Sequence, residues 1–116
     1  MRRLNLKSYD IPKRNAQGEE DGSVPYQVKP SIIELLYSRQ QGLNAVQLLE
    51  RDELATKIHG HSGDEILLED AEFAIIEKAM ESITGLGRED VEFVKRIKRA
   101  EKVDGRDLKL VKKKES

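Results

Sequence analysis

The spacing of apolar residues changes its period near Ser31, and this change constrains the fold more than any other feature of the chain. Before Ser31, apolar and polar residues alternate over residues 4–11 and 24–28, which is typical of strands with one buried face. After Ser31, apolar residues recur at intervals of three and four, which is typical of helices. The sequence therefore predicts an α+β fold: a small antiparallel β-hairpin or sheet at the N-terminus, packed on about four helices.

The length of the chain fits one domain. It has 116 residues, of which 37% are hydrophobic, so there is material for one core and not for a second. We expect a single α+β domain over residues 1–104, in which residues 12–23 (PKRNAQGEEDGS) form a long mobile loop between two strands. Residues 105–116 have little to bury, and we expect them to form a flexible basic tail.

Capping signals divide the helical part. Residues 31–34 (SIIE) match a capping box, which predicts that the first helix begins at Ser31 and ends near Gly42. The signal recurs at residues 44–47, and the buried face predicted for this second helix contains Leu43, Val46, Leu49, Leu54 and Ile58.

The remaining elements follow from the same rules. Residues 66–68 (ILL) are either a third strand or the approach to the next helix. A third helix is predicted from Asp70, and a fourth begins at Glu89-Asp90 after the turn at residues 84–87. The apolar stripe of the third helix consists of Phe73, Ile76, Met80 and Ile83.

The residue types that carry catalysis form no strong motif. The chain has no cysteine, which excludes a disulfide, a thiolate nucleophile and a cysteine-based metal site. His59 and His61 flank a glycine near Asp64 and Glu65, but this spacing matches no strong metal-ligand motif. We therefore expect no enzyme activity, no catalytic residue, no metal and no cofactor.

The hydropathy of the chain argues against a membrane location. Its apolar runs are shorter than the roughly 18–20 residues that a membrane helix needs, and Met1-Arg2-Arg3 is followed by alternating polar residues. We expect a cytoplasmic protein without a membrane partner.

Charge is distributed unevenly along the chain. Residues 32–92 carry five Lys or Arg against fourteen Asp or Glu, whereas residues 93–116 carry ten against four. If residues 85–103 form one helix, Phe93 and Ile97 lie on one side of it, and the other side carries four cations: Lys95, Lys98, Arg99 and Lys102.

Two functions fit this basic helix face. It can be an ordinary solvated face of a protein-binding domain, or it can contact the phosphates of a nucleic acid. The run lacks interleaved aromatic residues, and the pI of the whole chain is about 6.2, which favours the first interpretation. A third interpretation is that the basic end lies against the acidic middle of the same chain.

Three segments resemble the pattern of small proteins encoded by tailed bacteriophages and prophages. They are VPYQVKPSIIELLYS, ILLEDAEFAIIEKAMES and GLGREDVEFVKRIKRAEKV. The resemblance implies a non-enzymatic virion-assembly or host-modulating factor that binds a phage structural protein or a host protein. It implies a location in the bacterial cytoplasm, with virion association as a variant, and it assigns no site residues. The alternative is a nucleic-acid-binding accessory protein that uses the basic face of the last helix.

Overall fold

The computed structural model describes residues 1–103, so the predicted tail at residues 105–116 lies outside the described residues. The fold is α+β, as predicted. The strands are β1 (Arg2–Asn5), β2 (Tyr9–Arg14), β3 (Glu20–Tyr26), β4 (Glu65–Leu68) and β5 (Glu101–Lys102). The helices are α1 (Val28–Leu36), α2 (Ala45–Gly60), α3 (Asp70–Glu81) and α4 (Val91–Lys98), with short 3-10 turns at Arg39–Gln41 and Arg88–Asp90.

The predicted first strand, residues 4–11, is two strands in two different sheets. β1 is the central strand of a three-stranded antiparallel sheet of order β4-β1-β5, whereas β2 pairs with β3 in a separate hairpin. Between β1 and β2 the side chain of Asn5 accepts a hydrogen bond from the Lys7 N–H at 2.9 Å, which turns the chain. The expectation that residues 4–11 pair with residues 24–28 therefore holds only from Tyr9 onward.

The hairpin, β2 with β3, extends further than the sequence pattern suggests. Its strands include most of residues 12–23, so the connection between them is residues 15–19 instead of the whole predicted loop. The Asn15 side chain accepts hydrogen bonds from the Gln17 and Glu19 N–H groups, and Gly18 has φ +80°. Asparagine and glycine are the residues that such a turn requires.

The first helix begins three residues before the predicted capping box. Gln27 is the residue before α1, and the Ser31 hydroxyl donates to the Gln27 carbonyl at 2.7 Å from inside the helix. Pro30 is tolerated in the first turn because its missing N–H would have no partner within the helix. Val28 was predicted to end a strand, but it is a fully buried helical residue.

The second helix has the predicted N-terminal cap but a different buried face. Asn44 and Gln47 form both hydrogen bonds of the capping box, at 2.9 and 3.1 Å. Leu54 and Ile58 are buried as predicted, whereas Val46 and Leu49 are 66% and 65% exposed. The local spacing is compatible with helix for all of these residues, but α1 and α3 cover only one side of α2, and Val46 and Leu49 lie on the other side.

A buried arginine connects α2 to the end of α1. Arg51 is only 4% exposed, and its Nε donates to the Gln41 Oε1 at 3.3 Å. The Gln41 Nε2 in turn donates to the carbonyls of Leu35 and Leu36 at 2.8 and 3.0 Å. These carbonyls belong to the last turn of α1, where they have no partner within the helix. Gln41 therefore caps α1, and Arg51 holds Gln41 in place.

One hydrophobic core joins the helices to the three-stranded sheet. α3 contributes Phe73, Ile76 and Met80, as its predicted stripe requires. The fully buried side chains at the centre are Leu4, Val28, Ile32, Leu36, Ile58, Leu68, Ile76 and Ile97. No helix within residues 1–103 is long and apolar enough to cross a membrane.

Candidate functional site

A cleft of about 860 Å³ lies between the hairpin and α4. We refer to it as the cleft. Its hairpin side consists of Tyr9, Asp10, Ile11, Pro12, Arg14 and Glu20. Its helical side consists of Arg88, Glu89, Val91, Glu92, Lys95 and Arg96. A volume of this size can receive side chains of another molecule.

Tyr9 fixes the base of the hairpin to the start of α4. Its hydroxyl donates to the Glu89 carbonyl at 2.8 Å and accepts from the Phe93 N–H at 3.1 Å. The Arg96 guanidinium lies over the Tyr9 ring at 5.0 Å and also donates to the Lys7 carbonyl. Because the N–H groups of the first helical turn have no partner within the helix, the Tyr9 hydroxyl satisfies one that would otherwise be unpaired.

Tyr26 provides the second attachment of the hairpin. Its ring stacks on the Tyr9 ring with centroids 4.7 Å apart, and it packs against the Phe93 ring at 5.6 Å. Its hydroxyl donates to the Asp90 Oδ1 at 2.6 Å, while the Asp90 Oδ2 accepts from the Gly87 N–H at 2.8 Å. The two tyrosines thus fix the hairpin at one end, and the cleft opens beyond them.

Both tyrosine hydroxyls remain protonated over the physiological pH range. Burial raises the pKa of Tyr9, and burial together with the hydrogen bond to the Asp90 carboxylate raises the pKa of Tyr26. A pKa raised in the folded state contributes stability that is fully present below the unfolded value of about 10 and is lost as the pH rises toward the folded value.

We therefore expect the contribution of Tyr26 to stability to decrease at alkaline pH. The difference in unfolding free energy between the natural chain and Tyr26→Phe should be constant from about pH 7 to 9 and should shrink above about pH 10. Urea unfolding at each pH measures this difference, and the subtraction removes the titration of the lysines common to both chains. A difference that stays constant up to about pH 11 would contradict the expectation.

The inner wall of the cleft is apolar. Tyr9 pairs with Tyr26 and Ile11 pairs with Val24, so all four side chains are on one face of the hairpin. The tyrosines pack on the core, whereas Val24 remains 39% exposed. Val91 faces the cleft from α4 and is 48% exposed. The part of the hairpin beyond the tyrosines therefore presents apolar side chains that the described residues do not cover.

The two prolines of the hairpin face away from its ladder. Pro25 lies opposite Asp10 and Pro12 lies opposite Ser23, with one residue pair between them. Pairs that exchange two ladder bonds alternate with pairs that exchange none, and a proline has no N–H to exchange. Both prolines therefore occupy the outward-facing class, and each free edge lacks an N–H that an added strand would use.

Charged residues surround the apolar wall. Arg96 is engaged by Glu92 at 3.4 Å, and Arg14 donates to the Gly18 carbonyl at 2.9 Å. Within residues 1–103, Arg88 and Lys95 form no ion pair. The cleft thus has an apolar centre with cations of both kinds, engaged and available, at its rim.

A second hollow of about 470 Å³ continues from the cleft along α4. The two share Glu92, Lys95 and Arg96, and the second reaches Arg99 and the sheet residue Arg3. Arg3 lies between two carboxylates, Glu101 at 3.1 Å and Glu65 at 3.7 Å.

The four predicted contact cations do not share one face of a helix. α4 ends at Lys98, so Lys102 belongs to β5 opposite Arg2. The N-terminal ammonium is the main cause of the lowered pKa of Asp70, and Lys102 adds a smaller effect because it lies on the same side of the sheet. This part of the prediction is wrong, because it assumed a helix through residue 103.

The other three cations also separate. Lys98 pairs with Glu81 of α3 at 2.9 Å, whereas Lys95 and Arg99 line the second hollow. The structure therefore brings two of the four predicted residues together beside the cleft and directs the other two elsewhere.

The two histidines do not converge. His59 is an exposed residue near the end of α2, and the His61 Nε2 lies 2.6 Å from the Glu65 carbonyl oxygen. The His61 carbonyl accepts from the Lys29 Nζ at 2.6 Å. Within residues 1–103, no group of three or more histidine and acidic side chains is placed to hold a metal ion.

Comparison of the chain with protein-family models, with curated proteins and with solved structures gives no match.

Proposed function

We propose that this protein is a small protein-binding domain and that the cleft receives a segment of its partner. The observation that carries the proposal is the apolar wall formed by Ile11, Val24 and Val91, which the described residues leave uncovered beside a rim of charged groups. An apolar centre with a polar rim is the usual organisation of a protein–protein interface. Exposed apolar residues that cluster in a concave site mark binding surfaces more often than isolated ones do.

The partner contacts the cleft through side chains and does not add a strand. Strand addition needs a row of free N–H and C=O groups along a sheet edge, and Pro12 and Pro25 each remove one N–H from the two edges of the hairpin. An apolar side chain on Ile11 and Val91, with a carboxylate near Lys95 or Arg88, uses the groups that are available.

The resemblance to small phage-encoded proteins supports a role in virion assembly or in modulation of a host protein. On this proposal the partner is a phage structural protein or a bacterial protein, the chain acts in the host cytoplasm or on the virion, and it catalyses no reaction. The competing function is nucleic-acid binding through Lys95 and Arg99, which are close enough to contact the same phosphate backbone.

A matched pair of surface substitutions tests the proposal. Val91→Glu places a charge in the cleft, whereas Leu86→Glu makes the same change at a residue of similar exposure, 44% against 48%, outside the cleft lining. We expect a protein captured from nuclease-treated bacterial lysate by the natural chain and by Leu86→Glu to be lost with Val91→Glu. Calorimetry with the purified partner should then show at least a tenfold loss of affinity, about 1.4 kcal/mol.

Circular dichroism and thermal unfolding provide the control for folding of both variants. Equal capture by Val91→Glu and Leu86→Glu would contradict the proposal for the cleft. Capture that disappears on nuclease treatment would support the nucleic-acid alternative, in which affinity falls with salt at a log–log slope of about −0.9 per phosphate contacted.

A further inference from the structure

The first half of α2 presents an apolar face that is separate from the cleft. Val46, Leu48 and Leu49 are 66%, 46% and 65% exposed, and we refer to them as the α2 apolar face. On the helix, Val46 and Leu49 project from the side opposite the buried residues Arg51 and Ile58. Three large aliphatic side chains within four residues form a contiguous exposed patch, which is more than the scattered exposure usual for a surface.

The charges around the α2 apolar face are all negative. Glu50, Asp52 and Glu53 are exposed on the same half of the helix. The basic residue nearest in sequence, Arg51, is buried, and Lys57 is engaged by Glu72 at 2.8 Å. The surface therefore favours a ligand that combines apolar side chains with positive charge.

The same chain contains a segment with this composition. Residues 107–114 read DLKLVKKK, with two leucines, one valine and four lysines. We propose that this segment docks on the α2 apolar face of its own chain, so that Leu108, Leu110 and Val111 cover the apolar residues and the lysines face the carboxylates. This goes beyond the proposed function, because it concerns a different surface and an intramolecular ligand.

The length of the connecting chain permits this contact. Residues 104–114 can reach roughly 36 Å from Val103 when extended, at about 3.3 Å per residue. The described part of the molecule measures 53 × 40 × 22 Å along its principal axes. Because the segment is tethered, its effective concentration at the face is in the millimolar range expected of a short linker, so a weak contact is sufficient for occupancy.

A spin label tests the contact in the full chain. The chain has no cysteine, so Ser116→Cys gives a single attachment point for a nitroxide. We expect the label to broaden the amide resonances of residues 45–53 in the NMR spectrum, and the broadening should disappear when Lys112, Lys113 and Lys114 are replaced by Glu. Leu49→Lys should abolish it as well, whereas Leu86→Lys, at a residue of comparable exposure outside the face, should leave it intact.

Two results would overturn the proposal. One is a spectrum in which the α2 amides are no more broadened by the attached label than by free nitroxide. The other appears in a mixture of isotope-labelled chain without nitroxide and unlabelled chain with nitroxide: broadening of residues 45–53 there would mean that the segment binds a second copy. Broadening that decreases between about 0.1 M and 1 M salt, as the screening length falls from roughly 10 Å to 3 Å, would support the ionic part of the contact.

Discussion

Phe93→Ala is expected to lower the free energy of unfolding by about 3–5 kcal/mol. Phe93 is 3% exposed and packs on the Tyr26 ring at 5.6 Å, so its removal leaves a cavity at the junction of α4, the hairpin and the core. The cavity lies directly beneath the stacked tyrosines, and we therefore expect the hairpin to lose its fixed attachment as well. Urea unfolding followed by circular dichroism measures the loss of stability.

Val91→Ala is the matched control for this substitution. It lies on the same helix two residues earlier and is 48% exposed, so its cost should remain within about 0.5 kcal/mol. Separate amide exchange measurements should show that Phe93→Ala increases exchange in β2 and β3 more than in β4. If Phe93→Ala costs less than about 1 kcal/mol, the hairpin is not packed on the core as described.

Arg51→Ala should destabilise the chain by about 2–3 kcal/mol, a large effect for a residue without a close carboxylate partner. The Glu50 carboxylate is 3.7 Å away, whereas the guanidinium holds Gln41, whose side chain caps the last turn of α1. Loss of Arg51 therefore removes the support of a helix cap in addition to the packing of its own aliphatic stem.

Two further variants separate these contributions. Arg51→Met keeps an apolar stem but not the hydrogen bond, and Gln41→Ala removes the cap itself. If the two residues act together, the double variant should cost less than the sum of the single ones by about 0.5–3 kcal/mol. Additive costs would show that Arg51 acts only through its packing.

The α+β class and most helices could be predicted because they depend on local signals. The Asn44–Gln47 capping box and the stripe through Phe73 and Ile76 are complete within a few residues, and both are present in the structure. The pairing of β1 with β5 depends on residues about a hundred positions apart, for which alternation gives no information. The start of α1 was misplaced because Ser31 has the residue type of a cap but lies one turn inside the helix.

The candidate site was less accessible to sequence reasoning. Tyr9 and Tyr26 were recognised as strand residues, but only the register shows that their rings stack and that their hydroxyls reach the start of α4. Lys95 and Arg99 were identified because helical spacing relates them. The same spacing wrongly included Lys102, because the run of favourable helix-formers does not reveal that the chain becomes extended after Lys98.

The position of β1 between β4 and β5 has a consequence for synthesis of the protein. β1 is made first, yet its two partners are residues 65–68 and 101–102. At about 5–20 residues per second, roughly 5–20 s pass between translation of β1 and translation of its last partner. The buried side chain of Leu4 has no complete sheet around it during that time, so the ribosome-bound chain exposes an unpaired apolar strand that is available to a chaperone until almost the whole domain has emerged.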